Sequence, residues 1–216
     1  MQHLKHGPRR SCRSGGYSVV EVLIVVAIIF TMSAIAVPYL FRHRIIYKSE
    51  EQALRIMDLM REASQMALNQ RRTIRLEIDT VDSAILIIDG NGAATDTLVK
   101  RIPIESSSIL RMDVSPFGIG RPNPPNYPPA VFGVDSIGHM SGSTAISGNT
   151  VWALKFRSDG SVVNAGNVPI SATLFVFPPG TGSTTSDPNQ VRAITLSGGS
   201  GAVRFWSYNG TTFSPR

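Results

Sequence analysis

From Val22 to Phe41 the chain runs for twenty residues without a charge, and Arg42 and Arg44 are the first charged positions after that run. At about 1.5 Å of rise per residue, a helix of this length crosses a hydrocarbon layer of about 30 Å. One acid, Glu21, stands at the head of the run. A carboxylate held at bilayer depth costs roughly 2.5–3.5 kcal/mol, so a charge in this place calls for a partner. Beyond Arg42 the pattern turns amphipathic. Ala53, Met57, Met60, Ala63 or Ser64, and Ala67 recur at three- and four-residue spacing, while Glu50, Glu51, Arg55, Asp58, Arg61 and Glu62 take the other positions. This predicts one long helix starting at Ser18 or Val19, with an apolar half and a half that packs on a globular domain. The methionine stripe reads as core packing. Pro38 lies inside the helix and is expected to kink or locally unwind it. Arg71 and Arg72 close the pattern, placed favourably against the negative end of the helix dipole.

From Thr73 the period changes to two. In TIRLEID, Ile74, Leu76 and Ile78 are expected to point inward and Arg75 and Glu77 outward. SAILIID follows as a second strand, and Asp89-Gly90-Asn91-Gly92 marks a turn. Thr97–Ile104 and Ile109–Val114 read as further strands, with Pro103 at an edge or bend. Six prolines and two glycines between Ser115 and Pro129 leave no room for a regular element. That stretch is a long surface loop, either an insertion or a partner-binding surface. The remainder is strand and turn: Val151–Arg157, Ser161–Val163, Ala172–Phe177, Gln190–Leu196 and Ala202–Ser207. The turns fall at Ser158-Asp159-Gly160, at Pro178-Pro179-Gly180 and at Gly198–Gly201, with a polar tail from Tyr208 that is ordered only in part. The pattern therefore predicts an α+β chain, a long N-terminal helix packed on a C-terminal antiparallel β-sheet domain. That domain is large enough to bury a core.

Charge changes this picture only at the N-terminus. Residues 1–16 carry Lys5, Arg9, Arg10 and Arg13 and no acid, so removing this piece of formal charge +4 from a chain of +6 leaves +2. The basic balance of the whole chain is then weak support for a nucleic-acid partner. Cys12, the single cysteine, lies in the same piece together with His3 and His6. His43 and His139 are the histidines that remain, so a zinc site built on His and Cys is not expected.

The basic leader ending in Gly16, the aromatic Tyr17, and Glu21 as the fifth residue after that glycine resemble the class III signal of type IV pilins and type II secretion pseudopilins. An ordinary secretory signal has a shorter apolar region and a small-residue cleavage site after it, which Pro38-Tyr39-Leu40-Phe41 does not offer. A plain signal anchor accounts for the leader and the span but not for Glu21. The resemblance implies cleavage between Gly16 and Tyr17 by a prepilin peptidase, followed by N-methylation of Tyr17. The family most often has Phe at that first mature position. It also implies that Glu21 pairs with the N-terminal amine of a neighbouring subunit, and that Pro38 loosens the helix on assembly. In the second half, Phe156-x-x-Asp159-Gly160 and the closing VRAITLS…AVRFW hairpin resemble the C-terminal domain of GspH/FimT-type minor pseudopilins. Here the hairpin loop reads GGSG, where one glycine is usual.

The implied organisation is a removed leader at 1–16, a membrane and assembly half of the helix at 17–41, an amphipathic half at 42–72, and a β-rich domain at 73–216. The implied role is a minor subunit of a type II secretion pseudopilus or type IV pilus, at or near the tip. Such a chain is held by one pass in the bacterial inner membrane with its C-terminal domain in the periplasm, and its partners are the peptidase/N-methyltransferase and other pilins or pseudopilins. No G-x-S-x-G, P-loop, H-E-x-x-H or paired cysteine is present, so no enzyme activity and no cofactor is expected. Asp159-Gly160 lacks the ladder of oxygen ligands of a calcium loop and reads as a turn. The alternative is a DNA-binding minor pilin for uptake, through Lys155, Arg157, Arg192, Arg204 and Arg216 with Trp206 and Tyr208 as stacking rings. A solvated strand face accounts for those cations equally well.

Overall fold

The structure, a computed structural model, describes residues 17–216, with the side chains of 38–46 outside that description. Gly16 and the rest of the leader lie outside the described residues. The chain divides into two compact units between His43 and Arg44. One helix, α1, is assigned to Val19–Gln70 and includes Pro38, whose side chain is among those not described. Ser18 caps its start: the Val20 amide donates to Ser18 Oγ at 3.3 Å and the Val22 amide to the Ser18 carbonyl at 3.1 Å. At the other end Arg71 takes a positive φ of 54° and the Arg72 amide bonds back to the Ala67 carbonyl, which ends the helix.

In the second unit thirteen strands follow the helix. They are β1 Ile74–Asp79, β2 Ala84–Asp89, β3 Thr97–Pro103, β4 Arg111–Asp113, β5 Gly133–Val134, β6 His139–Ser141, β7 Thr144–Ile146, β8 Thr150–Phe156, β9 Val162–Val163, β10 Ala172–Phe177, β11 Arg192–Leu196, β12 Val203–Tyr208 and β13 Phe213–Pro215. They form two sheets. The first has the order β5-β8-β1-β2-β3-β6-β7 with β9 on β8; the second has the order β13-β12-β11-β10-β4. Every pairing is antiparallel except the short contact of β3 with β6. The fold is α+β, as the alternation of periods predicts.

The main core joins three surfaces. From the helix come Ala53, Ile56, Met57, Met60, Ala63 and Ala67; Leu76, Ile78, Ile85, Ile87, Leu154 and Phe156 come from the first sheet, and Leu174, Val176, Ile194, Leu196 and Phe205 from the second. The methionine stripe is core, as its spacing implies, with Arg55, Asp58 and Arg61 exposed on the other side. The second sheet also buries its other face, where Phe175, Phe177, Val191, Ala193 and Trp206 pack with Ile119, Tyr208 and Phe213. Tyr208–Arg216 is therefore ordered more fully than its polar composition suggests: β13 adds to the sheet edge and Phe213 packs edge-on to Phe175. The proline-rich stretch has no strand, yet it is tied down where it meets β10. The Ala130 amide donates to the Thr173 carbonyl at 2.8 Å and the Thr173 amide to the Pro128 carbonyl at 2.7 Å.

The outward placement expected for Arg75 and Glu77 is corrected. All six residues of β1 are buried, Arg75 and Glu77 each at 1% exposure. The excursion from Gly133 to Ile146 lies against the other face of the first sheet. Its Gly138 carbonyl accepts from Arg75, and its Met140 amide donates to the Asp96 carbonyl at 2.6 Å. The strands of this excursion are two or three residues long, too short to show a period, and the sequence reading did not place them.

Candidate functional site

The first candidate is the start of α1. Val19–Val37 is one helical stretch of 19 residues, long and apolar enough to cross a membrane, and none of it is buried within the chain. Val19, Leu23, Phe30 and Ile35 stand between 64% and 79% exposed. That is an unpartnered apolar surface far larger than the scattered exposed residues of a soluble monomer. Glu21 sits exposed in the first turn, and Tyr17 just before the helix is 83% exposed. Glu21 is also the third helical residue after the Ser18 cap, a place where a carboxylate suits the positive end of the helix dipole. An acid here thus has a local role at the start of the helix, resting on its charge.

The second candidate was missed in the sequence: a buried cluster of charges on the covered face of the first sheet. Arg75 on β1 is its centre. Its Nη1 donates to Asp96 Oδ2 at 3.1 Å and its Nη2 to the Gly138 carbonyl at 2.7 Å. Its Nε lies 2.7 Å from Glu77 Oε1, a charge contact without the alignment of a hydrogen bond. Asp96 is held in turn by the amides of Gly92 and Ala93, at 2.6 and 2.9 Å. Gly90, at φ 153°, lets that loop close: a Cβ there would fall 2.1 Å from the Asp96 carboxyl carbon. Gly138, at φ 70°, has the same function opposite the Ile146 carbonyl.

Around this centre several polar atoms are buried without a hydrogen-bond partner among the described residues. They include Glu77 Oε2 and both ring nitrogens of His139, whose Nδ1 lies 3.8 Å from Glu77 Oε2. Burial pushes the Glu77 carboxyl up to about 7, against the pull of Arg75 beside it, with Asp135 and Asp79 adding to the rise. Burial, and then Arg75, hold His139 below the usual imidazole range, so the ring is neutral. Asp135, half-buried in the loop after β5, accepts the amides of Ile137 and Gly138 on Oδ1, both at 3.1 Å. Glu77 and Asp135 line a cleft of about 390 Å³ walled by Trp152, Pro128 and Ala165. The residues of this cluster are separated by up to 64 positions (Arg75 to His139), and no motif spacing announces them.

The five cations expected to offer a nucleic-acid face divide. Lys155 is buried at 3% exposure beside Arg75, with Nζ donating to the Ala165 carbonyl, and burial lowers its pKa. Arg192 is buried at 5%, its Nη1 on the carbonyls of Asn189 and Val191 and its Nη2 3.6 Å from Glu50 Oε2. Arg216 is exposed but ion-paired to the same Glu50. Arg157 is half-buried just after β8 of the first sheet, and Arg204 is exposed on β12 of the second. Trp206 is 6% exposed with Nε1 donating to Thr195 Oγ1, and Tyr208 leans on Phe213, so neither ring stands free for stacking. The structure does not gather these side chains into one face.

No family model matches the chain, and no curated protein matches it. Among solved structures it is similar to the minor pseudopilin EpsH from the Type 2 Secretion System of Vibrio cholerae. The identity is 14% and the TM-score 0.45, over 76% of this chain and 99% of that one. A likeness this loose carries no correspondence of individual residues.

Proposed function

We propose that the chain is a structural subunit of pilin type, a GspH/FimT-like minor pseudopilin or pilin. It assembles through the first half of α1 into a type II secretion pseudopilus or a type IV pilus, at or near the tip. The observation that carries this reading is the exposed apolar helix with a single carboxylate, Glu21, in its first turn. Such a surface needs a covering of lipid or of other helices. Cleavage after Gly16 leaves a free or methylated amine on Tyr17. That amine pairs with Glu21 of a neighbouring subunit where both are withdrawn from water. The pair offsets the desolvation of each group and fixes the axial register of the bundle, whereas one charge alone stays costly. The domain from Thr73 onward is carried on the outside and provides its contact surface. Single-pass anchoring in the bacterial inner membrane, with that domain in the periplasm, is the state before assembly. Catalysis has no part in this role.

Glu21→Gln tests it. Glutamine leaves the Ser18 cap, which is made to the Val20 amide, and the length of the apolar run in place, and removes the charge. The variant is expected to insert into the membrane as the parent does, and to fall at least about tenfold in crosslinking to neighbouring pilin-like chains, the change that each 1.4 kcal/mol of lost pairing produces. Equal crosslinking of parent and variant overturns the pairing role.

A further inference from the structure

We propose that Glu77, Asp135 and His139 form a binding site for a divalent first-row transition-metal ion, for which Zn²⁺ is the natural probe. One donor atom from each lies within 4.8 Å of the others. Around an ion bound at about 2.0–2.1 Å, ligand atoms sit roughly 3.3 Å apart, so the side chains close on it by small rotations. The orphaned atoms give the second reason. Glu77 Oε2 and His139 Nδ1 are buried, face each other at 3.8 Å and lack hydrogen-bond partners among the described residues. One cation between them satisfies both at once, and buried groups of this kind otherwise keep their full desolvation cost.

The charges around the site agree. Glu77, Asp135, Asp96 and Asp79 stand against Arg75 and Lys155. The guanidinium of Arg75 is committed to Asp96, Gly138 and the other oxygen of Glu77, which leaves Oε2 unmatched. One nitrogen with two carboxylates suits zinc or a neighbouring transition metal, whereas calcium takes six to eight oxygens. Asp135 is half-buried on the cleft, which supplies the way in. Its Oδ2 takes part in none of the hydrogen bonds among the described residues, since the backbone amides use Oδ1. The ion would join β1 to the covering excursion Gly133–Ile146 and hold it in place. The inference does not depend on the assembly reading.

The test is a calorimetric titration of ZnCl₂ into the full-length, untagged chain in detergent at pH 7.5 after chelator treatment. One ion per chain is expected. Asp135→Asn keeps the Oδ1 acceptor and should weaken binding by more than about tenfold, the least that losing even an outer partner of a metal site typically costs; His139→Gln should do the same. Replacing His3, His6 and His43 should leave the affinity unchanged. Cobalt supplies a second readout: a visible absorption band of the parent chain that Asp135→Asn abolishes, decisive even where His139→Gln fails to fold. No binding by the parent chain, or binding that survives Asp135→Asn, overturns the site.

Discussion

Arg216 Nη1 donates to Glu50 Oε1 at 2.9 Å, so the last residue of the chain is fastened to the helix. The other oxygen of the same carboxylate faces Arg192, whose side chain is 6% exposed. Glu50 is about a third exposed, which screens its charge and places its worth between that of a surface pair and a buried one.

Glu50→Ala should therefore cost about 1–3 kcal/mol, chiefly because Arg192 is left buried without its counter-charge. Arg216→Ala removes only the exposed partner and should cost less than about 1 kcal/mol. Urea denaturation of both variants measures the difference. Equal costs would mean that Arg192 does not depend on Glu50.

Met60 is fully buried where the helix meets both sheets, while Leu54, six residues earlier, is 37% exposed. Met60→Ala should lose about 2–5 kcal/mol, and Leu54→Ala no more than about 0.5 kcal/mol. Thermal unfolding of the two variants checks the facing of the amphipathic half directly.

Glu77 makes stability depend on pH. Its folded carboxyl, at about 7, holds a proton that the unfolded chain releases near 4.5, so its contribution is full below that value and lost as pH rises through 7. His139 acts in the opposite sense: its lowered folded value gives stability above the ordinary imidazole pKa of 6.5 that is lost as pH falls. The groups that set both are Arg75, Asp79 and Asp135, with Asp82 also acting on His139. Between pH 4.5 and 6.5 the two contributions compete; between about 6.5 and 8 the fall due to Glu77 remains. In metal-free buffer, stability should drop across that upper window by a little less than about 1 kcal/mol. Glu77→Gln should flatten the drop. An unchanged slope in the variant would assign it to another group.

The helix was legible because its signals are local. A twenty-residue uncharged run and a stripe at three- and four-residue spacing each depend on neighbours in sequence, and both faces of the amphipathic half are where the spacing puts them. The longer strands were legible for the same reason. Arg75 and Glu77 were not, because alternation tells which residues share a face but not whether that face meets water. Their cover comes from Gly133–Ile146, whose two- and three-residue strands show no period and whose first strand pairs with β8 rather than with a sequence neighbour. The cluster of Glu77, Asp135 and His139 was hidden for a related reason: two segments far apart in the chain, β1 and the Gly133–Ile146 excursion, bring its members together. The cations of the C-terminal half illustrate the reverse. Lys155 and Arg192 look like surface charges in sequence, yet the register of their strands buries them.

The central claim, a subunit that assembles through a processed N-terminal helix, is tested most directly by the intact mass and N-terminal sequence of the chain recovered from cells with and without the prepilin peptidase. The account predicts a chain that begins at Tyr17, carries one added methyl group, and appears only when the peptidase is present. A chain that keeps its leader in the presence of the peptidase, or one cut after Phe41, contradicts it.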